Sequence, residues 1–176
     1  MVYLKLLFVG ILFSSSSCSL IPTDGVYLLP EGFRGGVVIL FDQPYGIRTE
    51  TEGGRYVYLI PDDGVLRATN SPPTGIIGRD YYFVAAGGQR MKIDYLRITG
   101  DRSVQGFPQN KFGNITQHQH DNKIYIMNAG GIGSFNTPNG TVQFTSFIVS
   151  TPKDSAQAYR EMENRISEIQ RDMSER

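Results

Sequence analysis

Residues 35–44 read Gly-Gly-Val-Val-Ile-Leu-Phe-Asp-Gln-Pro, and they give the clearest structural signal in the chain. The five residues 37–41 are all apolar, and residues that favour turns bound them on both sides. A short apolar run of this kind is typical of a strand that is buried on both faces. The stretch therefore predicts a β-strand inside the core.

Similar apolar runs, separated by glycine, proline and Asp-Gly or Asn-Gly pairs, recur along the chain. The turn Asp62-Asp63-Gly64 predicts a hairpin between two of these runs, and Gly87-Gly88 predicts a second hairpin. About seven strands at regular spacing predict an all-β fold, an antiparallel β-sandwich. The further predicted strands are 56–60, 65–67, 81–85, 91–98, 123–127 and 141–150.

The end of the chain has a different pattern, because glycine and proline are absent from residues 155–176. Apolar residues there recur at steps of three and four, which predicts one amphipathic α-helix with Asp154 or Ser155 as its N-cap. Two interpretations stay open: the helix packs on its own sandwich, or it binds an envelope protein partner. The apolar stripe comprises Tyr159, Met162, Ile166, Ile169 and Met173.

The first residues have the layout of a secretory signal. Lys5 precedes the apolar run 6–13, the serines 14–17 follow, and Cys18 is the only cysteine. The run is shorter than the roughly 20 residues that span a bilayer. It predicts a signal peptide that is cleaved before a lipid-bearing Cys18. A plain secretory signal with an incidental cysteine and an uncleaved anchor are the alternatives.

This layout predicts a bacterial lipoprotein whose partner is the membrane, through the lipid on Cys18. Ser19 is not acidic, and this favours the outer membrane, facing the periplasm, if the cell is Gram-negative. The predicted parts are a signal peptide at 1–17, a lipidated tether at 18–24, a β-sandwich domain at 25–152 and a C-terminal helical segment at 153–176.

Charge and cysteine content exclude several classes of function. Lysine and arginine together number 17, as do aspartate and glutamate, so the chain has no net charge that would attract nucleic acid. An acylated Cys18 leaves no thiol for a disulfide, a metal site or a nucleophile. We therefore expect no nucleic-acid partner and no thiol chemistry.

Candidates for catalysis are few. His118 and His120 would share one face of a strand and could bind a metal ion with Asp121, which leaves a metal-dependent envelope hydrolase as an alternative. Ser134 lacks the spacing of a nucleophile elbow, and 130–134 resembles a phosphate loop without the helix or lysine that such a loop needs. The sequence thus favours a protein that is not an enzyme and has no cofactor.

Tyrosines are numerous, and some of them could line a groove. Core packing is the expected role for most of them, because buried aromatic rings contribute large apolar areas. The tyrosines in question are Tyr27, Tyr45, Tyr56, Tyr58, Tyr81 and Tyr82.

Two short motifs resemble the bacterial family known as domain of unknown function 6843. The first contains Pro30, Glu31, Gly32, Phe33 and Gly35, and the second runs from Ile60 through Pro61 to Gly64. Members are often predicted lipoproteins, and no activity is assigned to them. The resemblance implies an envelope domain and no catalytic residue.

The order of strands and acidic turn is also similar to that of transthyretin-like sandwiches, which bind other molecules or act as spacers. We therefore expect a lipid-anchored cell-envelope protein that acts as a binding or structural accessory domain, with an immunity-type lipoprotein as another alternative. Gly64 is expected to adopt a positive φ, so the motif residues are expected to act on the fold.

Overall fold

The computed structural model describes residues 25–73, 78–96 and 122–175, which form ten strands and one helix. The helix α1 is Ser155–Ser174. The strands are β1 Gly25–Pro30, β2 Gly35–Leu40, β3 Glu50–Glu52, β4 Arg55–Leu59, β5 Val65–Arg67, β6 Arg79–Val84, β7 Arg90–Lys92, β8 Tyr125–Met127, β9 Gly133–Thr137 and β10 Gly140–Ser150.

The strands form two sheets that face each other. The first sheet has the order β3-β4-β1-β6-β7, and the second has the order β5-β2-β10-β8, with β9 also paired to β10. The predicted sandwich with a C-terminal helix is confirmed, and it has more strands than seven. The predicted antiparallel arrangement is wrong, since both sheets are mixed: β1 runs parallel to β4 and β6, and β2 runs parallel to β5.

One predicted hairpin is wrong. The turn Asp62-Asp63-Gly64 does not fold β5 back onto β4; it carries the chain from the first sheet to the second. The connection between β1 and β2 makes the same crossing, so β5 arrives beside β2 in parallel. The local turn chemistry was interpreted correctly, but it does not determine which strand becomes the neighbour.

The hairpin around Gly87-Gly88 is confirmed, because β6 and β7 pair in antiparallel register. Three strands were not predicted, namely β1, β3 and β9. β1 was taken only as the opening of the family motif, and β9 begins at the end of the glycine-rich stretch 130–134. A short strand containing Gly133 has little hydrophobic signal of its own, and its pairing with β10 holds it in place.

The main core lies between the sheets, and residues 37–41 are fully buried in the structure as predicted. Alternate residues of the longer strands, such as β1, β2 and β10, enter this core, and aromatic rings occupy its centre. Tyr27 stacks between Tyr58 and Tyr81, with ring centroids 5.0 and 4.8 Å away. Core packing is thus the role of these three tyrosines, whereas Tyr45 is 99% exposed.

The helix α1 packs on the outer face of the second sheet. Ala158, Met162 and Ile169 are buried there against residues such as Val38 and Leu40. Most of the apolar stripe therefore packs on the same domain, as in the first of the two interpretations, whereas Tyr159 is exposed. Among the described residues, no helix has both the length and the apolar character needed to cross a membrane.

Gly36 allows the helix to approach β2 closely. A Cβ atom at this position would lie 2.7 Å from Cα of Met162, closer than real Cβ contacts occur. Only glycine therefore fits between the helix and the strand without displacing one of them.

Candidate functional site

The two motif turns meet at one end of the sandwich. A Cβ atom on Gly64 would lie 2.5 Å from the carbonyl oxygen of Gly36 and 3.0 Å from Cζ of Phe33, so the second turn contacts the first. Gly64 has a φ of 74°, as predicted, and Gly32 and Gly35 also have positive φ values. These glycines supply backbone conformations that other residues rarely adopt.

Arg165 of α1 fastens the helix to the same end. Its guanidinium donates to the carbonyl oxygen of Gly36 over 2.9 Å and also to the carbonyl oxygen of Asp63. Arg165 is not one of the residues of the predicted apolar stripe. Nothing local distinguishes it, because its partners lie more than 100 positions away. The contacts of Arg165 at this end therefore hold the helix against the two motif turns.

The opposite end of the sandwich contains a cleft of about 370 Å³, which we call the Arg79 cleft. Arg79 is the register partner of Gly25, so the cleft lies at the end where β1 begins. Its described lining comprises Arg79, Tyr81, Tyr95, Ala129, Gly130 and Gly131.

Tyr81 brings a buried phenol to this cleft. The residue is 3% exposed, and its hydroxyl oxygen has no hydrogen-bond partner in the described part of the chain. Burial raises the pKa of Tyr81, and the Arg79 guanidinium opposes that rise through its charge and through its closeness to the hydroxyl, although the two groups do not meet in hydrogen-bond geometry. The hydroxyl of Tyr58, on the other side of the Tyr27 ring, accepts a hydrogen bond from Nδ2 of Asn70 at 3.2 Å. The unpartnered hydroxyl is thus specific to the cleft side of the stack.

Arg79 places a guanidinium cation in the cleft. Its Nη1 donates to the carbonyl oxygen of Gly130 over 2.7 Å, and in residues 25–73, 78–96 and 122–175 no carboxylate forms an ion pair with it. By contrast, Arg55 pairs with Asp80 at 2.8 Å on the outer face of the same sheet. The cleft therefore has a net positive charge from a half-buried guanidinium.

The loop 128–132 forms the other wall of the cleft. Asn128 opens it with a φ of 52°, a left-handed conformation that asparagine tolerates better than most residues. The buried Thr145 anchors the loop by donating from Oγ1 to the carbonyl oxygen of Gly131 over 3.3 Å. Gly130 and Gly131 are exposed, and a Cβ atom on either would meet nothing within 4 Å. The loop is thus held at its carbonyls while its glycines leave the cleft open.

Several residues singled out from the sequence cannot be placed. Cys18, His118, His120 and Asp121 all lie outside the described residues. Within the described ranges, no three His, Cys, Asp or Glu side chains gather as they would around a metal ion. Ser134 is exposed in β9. The residues of the Arg79 cleft were not predicted as a site; Tyr81 was named only among tyrosines that could line a groove.

Comparisons with known proteins agree with this fold. Residues 22–151 match a family described as "Family of unknown function (DUF6843)". A crystal structure of a candidate lipoprotein from Bacillus anthracis is similar over 73% of this chain and 70% of that chain, with 21% sequence identity and a TM-score of 0.51. No curated protein matches. The chain belongs to the family of unknown function DUF6843.

Proposed function

We propose that this chain is a lipid-anchored protein of the bacterial cell envelope that acts by binding, with the lipid attached to Cys18. The only cysteine stands at the end of a signal-like apolar run, as a lipid-attachment residue should. The structurally similar protein from Bacillus anthracis is itself described as a candidate lipoprotein. In a Gram-negative cell, Ser19 favours the outer membrane and a domain that faces the periplasm.

The observation that supports a binding role is the Arg79 cleft. Its described lining offers a cation, two phenols and a glycine loop, and among these residues there is no carboxylate, imidazole or thiol. A nucleophile and a base within hydrogen-bond reach would be expected of a hydrolase. Concave sites with a few convergent polar groups are the usual form of ligand sites.

The proposed anchor would orient the domain. Gly25 begins β1 seven positions after Cys18. A tether of that length reaches at most about 25 Å when fully extended. The end that carries Gly25 and the Arg79 cleft would therefore face the membrane, and the motif turns would point away from it.

Metabolic labelling tests the anchor. Cells that express the full-length chain are given radiolabelled palmitate, and the labelled protein is compared with Cys18→Ala and with the matched control Ser17→Ala. We expect label in the wild type and in Ser17→Ala, and none in Cys18→Ala. Equal labelling of all three proteins, or labelling of none, contradicts lipid attachment at Cys18.

A further inference from the structure

Two polar groups in the Arg79 cleft lack the partners that their burial calls for. The Arg79 guanidinium is half-buried with no ion-pair partner among the described residues, and the phenol of Tyr81 is buried with no hydrogen-bond partner there. Most buried polar groups in native proteins are hydrogen-bonded, and buried charges are usually paired. We propose that the Arg79 cleft binds the carboxylate or phosphate group of a small molecule, an inference that rests on the proposed binding function.

The positive charge is the first reason for an anion. Arg79 uses Nη1 for the carbonyl oxygen of Gly130, and a guanidinium has further N–H groups in a planar fork that matches two oxygens of a carboxylate or phosphate. On the outer face of the same strand, Asp80 contacts both Arg55 and Lys92, at 2.8 and 3.0 Å. Charges are thus neutralised one residue away, whereas no carboxylate within the described ranges pairs with Arg79.

The phenol of Tyr81 is the second reason. Its hydroxyl can donate to an anionic oxygen beside Arg79, since residues 79 and 81 of β6 lie on the same face of the strand. Such a bond would satisfy the hydroxyl that no described residue satisfies. A bound anion would therefore provide a partner for the Arg79 guanidinium and for the Tyr81 hydroxyl.

The remaining walls suit an organic molecule that carries the anion. Tyr95 is 49% exposed at the edge of the cleft and offers an apolar ring face. The carbonyl oxygens of Gly130 and Gly131 already accept hydrogen bonds from Arg79 and Thr145. These carbonyls are thus turned toward the protein, while the glycines leave room for a ligand. A flat carboxylate such as benzoate is a suitable probe.

The test is a titration of the full-length chain in neutral detergent, with 13C label at Cζ of tyrosine, followed by NMR at constant ionic strength. Benzoate and inorganic phosphate are the two anionic probes, and benzamide is the neutral analogue of benzoate. We expect saturable shifts of the Tyr81 resonance, assigned through Tyr81→Phe, with at least one anion. Saturation by benzoate alone would identify a carboxylate ligand, and saturation by phosphate alone a phosphate ligand.

Variants separate charge from shape. Arg79→Gln should weaken binding about tenfold or more, the usual effect of losing a charge-assisted hydrogen bond. Arg79→Lys keeps the charge and should bind better than Arg79→Gln. Arg67→Gln, which changes an exposed arginine of β5, should bind as the wild type does.

Three results would overturn the inference: no saturable shift with either anion, benzamide binding as tightly as benzoate, or Arg79→Gln and Arg79→Lys binding as the wild type does with well-dispersed spectra. Palmitate labelling of the same chain distinguishes the two proposals. Palmitate labelling without anion binding would refute only the proposed ligand class. Anion binding without palmitate labelling would refute only the lipid anchor at Cys18.

Discussion

Replacing Tyr81 with phenylalanine should make the unliganded protein more stable, an unusual outcome for a change in a buried side chain. The substitution removes only the hydroxyl that has no partner in the described part of the chain. The ring can keep its place 4.8 Å from Tyr27 and its edge contact with Phe147. Packing is therefore retained while an unsatisfied polar atom is removed.

The magnitude follows from the desolvation of that atom. A buried polar group without a partner costs about 1–3 kcal/mol, so Tyr81→Phe should raise the free energy of unfolding by up to that amount. Tyr58→Phe is the matched control, because Tyr58 stacks on the other face of Tyr27 and its hydroxyl accepts a hydrogen bond from Asn70. That variant should lose about 0.5–1.5 kcal/mol. The two substitutions should thus change stability in opposite directions.

Urea denaturation of the full-length chain, followed by circular dichroism, measures both effects. A protein of this size shifts in melting temperature by about 2–4 °C per kcal/mol, so thermal melts provide a second readout. If Tyr81→Phe destabilises the protein as much as Tyr58→Phe does, the Tyr81 hydroxyl has a hydrogen-bond partner in solution, and the cleft does not contain an unsatisfied polar group. Saturating benzoate should also stabilise the wild type more than Tyr81→Phe.

Two further outcomes are expected. Gly36→Ala should lower the melting temperature by several degrees, because its Cβ atom would meet the helix at less than 3.0 Å, whereas Gly87→Ala, with open space around it, should change little in the same melts. Stability should fall as the pH drops below about 4. Hydrogen bonds from Arg55 and Lys92 lower the pKa of Asp80 from 3.8, so the ionised carboxylate stabilises the folded state. Protonation of Asp80 at low pH removes that stabilisation. In Asp80→Asn, the free energy of unfolding should fall less steeply with decreasing pH than in the wild type. An equal dependence on pH in both proteins would contradict the role given to Asp80.

The strands with strong apolar runs were predictable because their signal is local. Residues 37–41 are buried as expected, and the helix begins at Ser155 where the composition changes. Sheet membership was not predictable, since the turn Asp62-Asp63-Gly64 has the same composition whether the next strand returns or crosses. The crossing depends on β2 as a partner for β5, and no local signal reports that pairing.

The cleft was missed for a related reason. The predicted strand 81–85 began two residues late, and β6 begins at Arg79. Side chains alternate along a strand, so extending it by two residues places Arg79 on the same inward side as Tyr81. The contact with Gly130 spans 51 positions and could not be inferred from either segment.

The two ends of the sandwich differ in whether their described polar groups have partners. At the motif end, glycines occupy the positive φ values and Arg165 donates to two carbonyl oxygens, so the glycines and Arg165 have structural roles. At the cleft end, the described residues give the Arg79 cation no counterion and the Tyr81 phenol no hydrogen-bond partner. Stability alone would favour phenylalanine at position 81, since a sequence consistent at every level leaves no such group. The unsatisfied groups therefore support the Arg79 cleft as the proposed binding site, and the family motif lies at the opposite end as part of the framework.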